Sequence, residues 1–367
     1  MPNEPAPHLH HLELLGAHLS LVTDSADLTR QIESRLGAFL CRQPASRRLE
    51  ARFAPPPPRM LSSRGLIELS PEAPVQQAFG VIFRELLDAV DRYLILHAAA
   101  LIKDRRTLLL AGPSGAGKTT LALSLIQGGY RLLSDDFAPL HRTTGLIHPF
   151  HKAPGIRPGA AAELAGMDSR EEKAGGASLP MDLGTLPPER LAFEPAPLGA
   201  VVILTGRRDA PDPRAPFFFS IVFAEEPGAK LAELLRIEGV SLVAREASEI
   251  ILRIDPEAGA GGAIEEFLAR TEGIILEYGT VASVDHDKAG EPLLEPLAGG
   301  AALMLLAREI QNRRPGGALL ASLGGDAAGL LPELGAVLDE RPCFYLLPGD
   351  PRATAALVDE NFTQALD

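Results

Sequence analysis

The chain has 367 residues, with 35 basic against 48 acidic side chains and a net charge of −13. An acidic balance without a basic stripe argues against a nucleic-acid partner, while 46% hydrophobic residues supply ample material for a core. The length suggests two domains or one large elaborated one. Cys41 and Cys343 are the only cysteines and lack C-x-x-C spacing. They suggest neither a zinc site nor a disulfide framework, and fit a reducing, cytoplasmic setting. The opening MPNEPAPHLHHLELL lacks a basic stretch followed by an apolar core, so no signal peptide is expected. No apolar run approaches ~18 residues, so no membrane association is expected.

In chain order, residues 12–22 read as a strand. Asp24 and Ser25 then cap an amphipathic helix over 26–40, with Leu28, Ile32, Leu36 and Leu40 on one face. Residues 48–53 read as a strand, Ala54-Pro-Pro-Pro-Pro58 as a stiff polyproline II spacer, and 65–69 as another strand. Residues 1–70 are therefore assigned to a small N-terminal α+β accessory region. His8, His10 and His11 read as solvated, since no second cluster of matching ligands accompanies them. A helix over 75–92 follows, with Phe79, Ile82, Phe83, Leu86 and Val90 on one face. It is expected to pack on the sheet that begins at Tyr93.

Residues 93–102 and 107–111 read as a hairpin whose second strand runs into Gly112-Pro113-Ser114-Gly115-Ala116-Gly117-Lys118-Thr119. That stretch fits the phosphate-loop pattern G-x-x-x-x-G-K-[ST] at every fixed position. A helix over 119–127 carries Leu121, Ala122, Leu125 and Ile126 at helical spacing and stops at Gly128-Gly129. A short strand over 130–134 then ends in Asp135-Asp136. A helix of roughly nine residues runs back about 14 Å, and a strand of about five returns about 16 Å. The unit is thus a compact strand–helix–strand, expected to be parallel and right-handed. It delivers both aspartates beside the glycine loop, at the carboxyl ends of the strands.

The chemistry of these residue types is specific. Glycines let backbone N–H groups approach phosphate oxygens. Lys118 supplies a cation for the β- and γ-phosphates, and Thr119 a hydroxyl suited to Mg²⁺. One aspartate can hold Mg²⁺ while the other accepts a proton from an attacking hydroxyl. Further on, 141–158 reads as a polar loop in which Lys152 and Arg157 are candidate second cations. Residues 159–188 are a candidate lid or substrate loop. Strands are expected over 200–206, 217–223 and 273–278, and helices over 230–236 and 264–270, with Asp285-His-Asp287 a loop. Helices over 301–311, 327–338 and 351–366 and a strand over 343–347 close the chain.

The histidine of LHAAA before a hairpin, the G-x-S-G-x-G-K-[ST] loop, one helix, a glycine turn and the Asp-Asp of LLSDD together resemble the HPr serine kinase/phosphorylase family. They are also similar to the phosphoenolpyruvate carboxykinases, which share that core. The strong match covers about forty of the 367 residues. The resemblance implies an α/β fold, with a P-loop core sheet flanked by helices over 71–367 and part of 207–297 an insertion. It implies an ATP- and Mg²⁺-dependent kinase that phosphorylates a hydroxyl, with serine of a peptide, protein or small molecule as the expected acceptor. Gly112, Pro113, Ser114, Gly115, Ala116, Gly117, Lys118, Thr119 and Thr120 would bind the nucleotide, helped by Lys152 and Arg157. Thr119, Asp135 and Asp136 would hold the metal; His97, Lys118, Asp135 and Asp136 would be catalytic. Some relatives are hexamers, so a homo-oligomer is compatible with the resemblance. HPr kinases carry an acidic residue where this chain has Thr120, and their downstream glycine-rich signature has no clear counterpart here. The acceptor is therefore open. A P-loop ATPase and a non-catalytic nucleotide-binding regulator are the alternatives.

Overall fold

The chain is a mixed α/β protein of several sheets and helices; a computed structural model describes residues 7–151, 155–156, 179–180, 186–206, 209–271, 274–282 and 290–366. Residues 1–92, 214–280 and 312–326 form one compact unit, and 93–213, 281–311 and 327–367 a second. The boundary drawn from sequence at residue 70 falls inside the first unit, to which most of the 207–297 stretch also belongs. Among the described residues no helix is long and apolar enough to cross a membrane.

The first unit begins with a six-stranded sheet in the spatial order Leu40–Cys41, His8–Leu14, Ala17–Thr23, Arg48–Arg52, Arg59–Ser62, Gly65–Glu68. The single strand expected over 12–22 is a hairpin. Leu15 and Gly16 take φ of 52° and 84°, the two positive values that a tight two-residue turn requires. Leu12, Leu14, Leu19 and Leu21 bury one face of it. The next helix is Ala26–Leu36, capped where Ser25 Oγ accepts the Leu28 N–H at 3.2 Å. It ends earlier than expected because Gly37 opens a 3₁₀ turn, Gly37–Phe39, and Leu40 passes to the sheet edge, 39% exposed.

The proline run is also corrected. Arg48–Arg52 and Arg59–Ser62 pair antiparallel, so residues 54–58 turn the chain back instead of spacing two regions apart. The long helix is Pro74–Asp88, with Pro74 at its first position, where a missing N–H costs nothing. It buries Phe79, Ile82 and Leu86 and packs on helix Ala26–Leu36 and strands His8–Leu14, Ala17–Thr23 and Arg59–Ser62. The apolar face of the N-terminal sheet is what its own apolar stripe covers. The unit also holds a four-stranded sheet ordered Val240–Glu246, Glu249–Ile254, Phe217–Phe223, Ile275–Val281. Ile221, Phe223, Leu252 and the helix residues Ile264 and Phe267 form its core.

In the second unit, strands Arg131–Ser134, Ala98–Lys103, Arg106–Ala111 and Ala196–Leu204 lie side by side, and Cys343–Leu347 joins Ala196–Leu204 on its far side. Arg106–Ala111, Ala196–Leu204 and Cys343–Leu347 are mutually parallel, with Val202 opposite Leu110 and Ile203 opposite Tyr345. Ala98–Lys103 runs antiparallel to both its neighbours. Arg131–Ser134 therefore runs with Arg106–Ala111, one strand away. Helices Lys118–Gln127 and Pro351–Leu366 pack together on this sheet, burying Leu110, Leu121, Leu125, Tyr130, Val202 and Phe362. Each such side chain contributes roughly 1.5–3 kcal/mol by leaving water.

One expected strand, 93–102, is two. Tyr93–Leu96 pairs with Ala138–His141, while Ala98–Lys103 pairs with Arg106–Ala111. The break is at His97, whose N–H is taken by the Glu309 carbonyl at 2.7 Å.

Candidate functional site

The site is built at the carboxyl end of the parallel strands, where α/β sheets bind ligands. Residues 112–117 leave Arg106–Ala111 there, and Asp135-Asp136 leave Arg131–Ser134 at the same edge. Gly112 has φ +140°, and a Cβ placed on it would lie 2.6 Å from the Leu204 carbonyl oxygen. The position accepts only glycine, because the loop must pass against the neighbouring strand before it turns. Gly115 and Gly117, with φ of 84° and 99°, continue that turn. Gly117 then caps helix Lys118–Gln127, its carbonyl accepting the Leu121 N–H at 2.9 Å. The loop is braced internally by Ala116 N–H to Pro113 O, 3.1 Å, and from outside by Ala282 N–H to Ser114 O, 2.9 Å.

Lys118 is buried. Its Nζ donates to the carbonyls of Gly112 at 2.6 Å and Pro113 at 3.2 Å, and lies 3.1 Å from His97 Nε2. The other ring nitrogen, Nδ1, is 3.2 Å from the Asp136 carbonyl oxygen. These partners fix the tautomer. An ammonium only donates, so Nε2 accepts; a carbonyl only accepts, so Nδ1 carries the proton. His97 thus links the glycine loop to the aspartate turn.

The turn itself is held by local bonds. Phe137 N–H donates to Asp135 O at 2.8 Å, and Ser134 Oγ donates to the Phe137 carbonyl. Asp136 has φ 64°, a left-handed conformation that aspartate tolerates better than most residues. Asp135 is buried and Asp136 half-buried. Thr119 and Thr120 are half-buried on the first helical turn, and Thr120 O accepts from Ser124 Oγ at 3.2 Å. Lys152 and Arg157, with most of 159–188 and the stretch Asp285-His-Asp287, lie outside the described residues.

Next to the aspartates the expected polar loop begins inside a strand, since Ala138–His141 is part of the sheet. Phe150 N–H donates to Leu133 O at 3.0 Å, and Phe150 is buried. Burial lowers the His151 pKa, opposed by hydrogen bonds to the Leu132 and Ala192 backbone. Burial and then the neighbouring His141 lower the pKa of His148, whose ring meets Tyr93 edge-on at 5.0 Å.

Chemically, the arrangement offers backbone donors at a helix start, a buried ammonium and hard oxygen ligands, which suits a nucleotide polyphosphate with Mg²⁺. The bracing groups escaped sequence reasoning. Glu309 and Gln311 hold the His97 strand break, through the bond above and through Gln311 N–H to Ile95 O at 2.7 Å. Both contacts use backbone atoms, which leave no residue-type signature. No protein-family model matches the chain, and no curated protein matches it.

Proposed function

We propose that the chain is an ATP-dependent phosphotransferase with an HPr kinase/phosphoenolpyruvate carboxykinase-like P-loop core, acting on a hydroxyl of a peptide, protein or small molecule. The observation that carries the reading is the chain of contacts Lys118–His97–Asp136, which ties the cation of the glycine loop to the acidic turn. The contact uses the main-chain carbonyl of Asp136, so it sets the position of the turn that carries the two carboxylates.

In this reading ATP supplies the transferable phosphoryl group and Mg²⁺ the countercharge, held by the Thr119 hydroxyl and one of Asp135 and Asp136. The amides of the glycine loop bind phosphate oxygens. Lys118 stabilises charge on the transferring group. The second aspartate takes the proton of the acceptor hydroxyl. His97 orients Lys118 and the turn that carries the aspartates. The test is transfer of labelled γ-phosphate, with Mg²⁺, into a lysate of the native host, comparing wild type with Lys118→Ala. A labelled acceptor that appears with wild type alone supports the kinase. Free phosphate alone means an ATPase, and ATP binding without turnover means a regulator; either overturns the proposal.

A further inference from the structure

The N-terminal sheet gathers Glu13, His18 and Cys41, whose ligand atoms lie within 4.8 Å of one another. Three adjacent strands contribute one residue each. Glu13 stands directly opposite His18 across the hairpin, and Cys41 stands opposite His11 on the other flank of the central strand. Residues 11 and 13 share a face because side chains alternate along a strand, so Cys41, Glu13 and His18 project to the same side. That side is opposite the one on which Leu12, Leu14, Leu19 and Leu21 are buried. Glu13 is exposed, while His18 and Cys41 are half-buried.

Two further observations point to a ligand. The Nδ1 of His18 is buried and, among the described residues, has no hydrogen-bond partner. By contrast, the neighbouring His10 and His11 are both satisfied, by Thr29 Oγ1 at 3.2 Å and Ser20 Oγ at 2.9 Å. Among the described residues the Cys41 thiol makes only a long contact to Gln43 O, 3.6 Å, which a metal would displace at little cost. We infer that Glu13, His18 and Cys41 form a binding site for a divalent transition-metal cation of Zn²⁺ type. One thiolate, one imidazole and one carboxylate are three of the ligands such a cation takes, with water in the fourth position. Zn–S of about 2.3 Å and Zn–N of about 2.0 Å put tetrahedral ligand atoms about 3.5 Å apart. The ligand atoms, within 4.8 Å of one another, must close by roughly 1 Å to reach that spacing. Binding replaces the S–H bond by an S–metal bond and releases one proton to solvent, so affinity rises with pH.

The site is independent of the phosphate loop and of the reading given to it. The test uses the full chain, freed of metal with a chelator and titrated with Co²⁺ and then Zn²⁺. Expected are one equivalent of Co²⁺ per chain, a near-ultraviolet thiolate-to-cobalt absorption band, and loss of that band on adding one equivalent of Zn²⁺. Cys41→Ser should abolish the band, and His18→Gln should weaken Zn²⁺ binding by roughly tenfold or more. Cys343→Ser should leave both unchanged. Cobalt bound at the aspartates of the phosphate site would give no thiolate band. Absence of the band in wild type, or its survival in Cys41→Ser, overturns the site.

Discussion

Lys118 Nζ lies 3.1 Å from His97 Nε2, and the opposite edge of that ring faces the Asp136 carbonyl at 3.2 Å. An imidazole held between an ammonium and a carbonyl has one orientation and one tautomer. The two halves of the candidate site are therefore not independent. The hypothesis predicts that Lys118→Ala removes most phosphoryl transfer, while His97→Gln costs on the order of tenfold to a hundredfold, as a positioning loss would. The double variant should be little worse than Lys118→Ala alone, because the histidine acts through the lysine. Initial rates of the four proteins measure this; fully multiplicative losses would separate the two residues.

Asp135 and Asp136 are adjacent in sequence but differ in burial and backbone conformation, which suits two different tasks. We predict, on the kinase hypothesis, that Asp135→Asn and Asp136→Asn both cripple transfer. At least one of them should keep nucleotide affinity within a few-fold, since a base is not a nucleotide ligand. Calorimetric nucleotide binding beside single-turnover transfer distinguishes the roles. Full activity in both variants would end the acid/base assignment.

Local signals made part of this legible. The glycine loop, helix Lys118–Gln127 and the strand ending at Ser134 occupy nearly the expected positions, because their spacing and punctuation are contained in one short stretch. Gly16 and Gly37 were equally local signals, yet the strand over 12–22 and the helix over 26–40 run through them; each glycine proved to be the stop. What lay beyond reach depends on distant backbone. His97 breaks its strand because Glu309 O takes its N–H, and the proline run turns because two strands pair across it. Cys41 comes beside His18 only through strand pairing. No rule of spacing reports such contacts.

Two glycines of the loop should respond differently to alanine. At Gly112 a Cβ would meet the Leu204 carbonyl at 2.6 Å, while at Gly117 nothing lies within 4 Å. Both have positive φ, so each carries a conformational penalty on the order of 1–2 kcal/mol. Only Gly112→Ala adds a backbone clash. We predict that Gly112→Ala destabilises the fold by roughly 3 kcal/mol or more, and Gly117→Ala by about half of that. Urea unfolding of the two variants is the check; equal losses would mean that the loop does not need its close seat on the strand.

Acid should weaken the protein through three histidines that the fold partly withdraws from water. Burial lowers the pKa of His10, His148 and His151 from 6.5. In each case the folded chain releases a proton more readily than the unfolded chain, whose imidazoles titrate near 6.5. Between 6.5 and the lowered folded values the unfolded state therefore binds more protons, and stability rises with pH. The contribution is fully present above about pH 6.5 and is lost as pH falls through the folded values. We predict a thermal midpoint that is flat between about pH 7 and 8 and declines below about 6.5. His151→Gln, which keeps a polar side chain but does not titrate, should shallow that decline. Identical slopes for wild type and the variant would remove His151 from the acid response and leave the fall to His10 and His148.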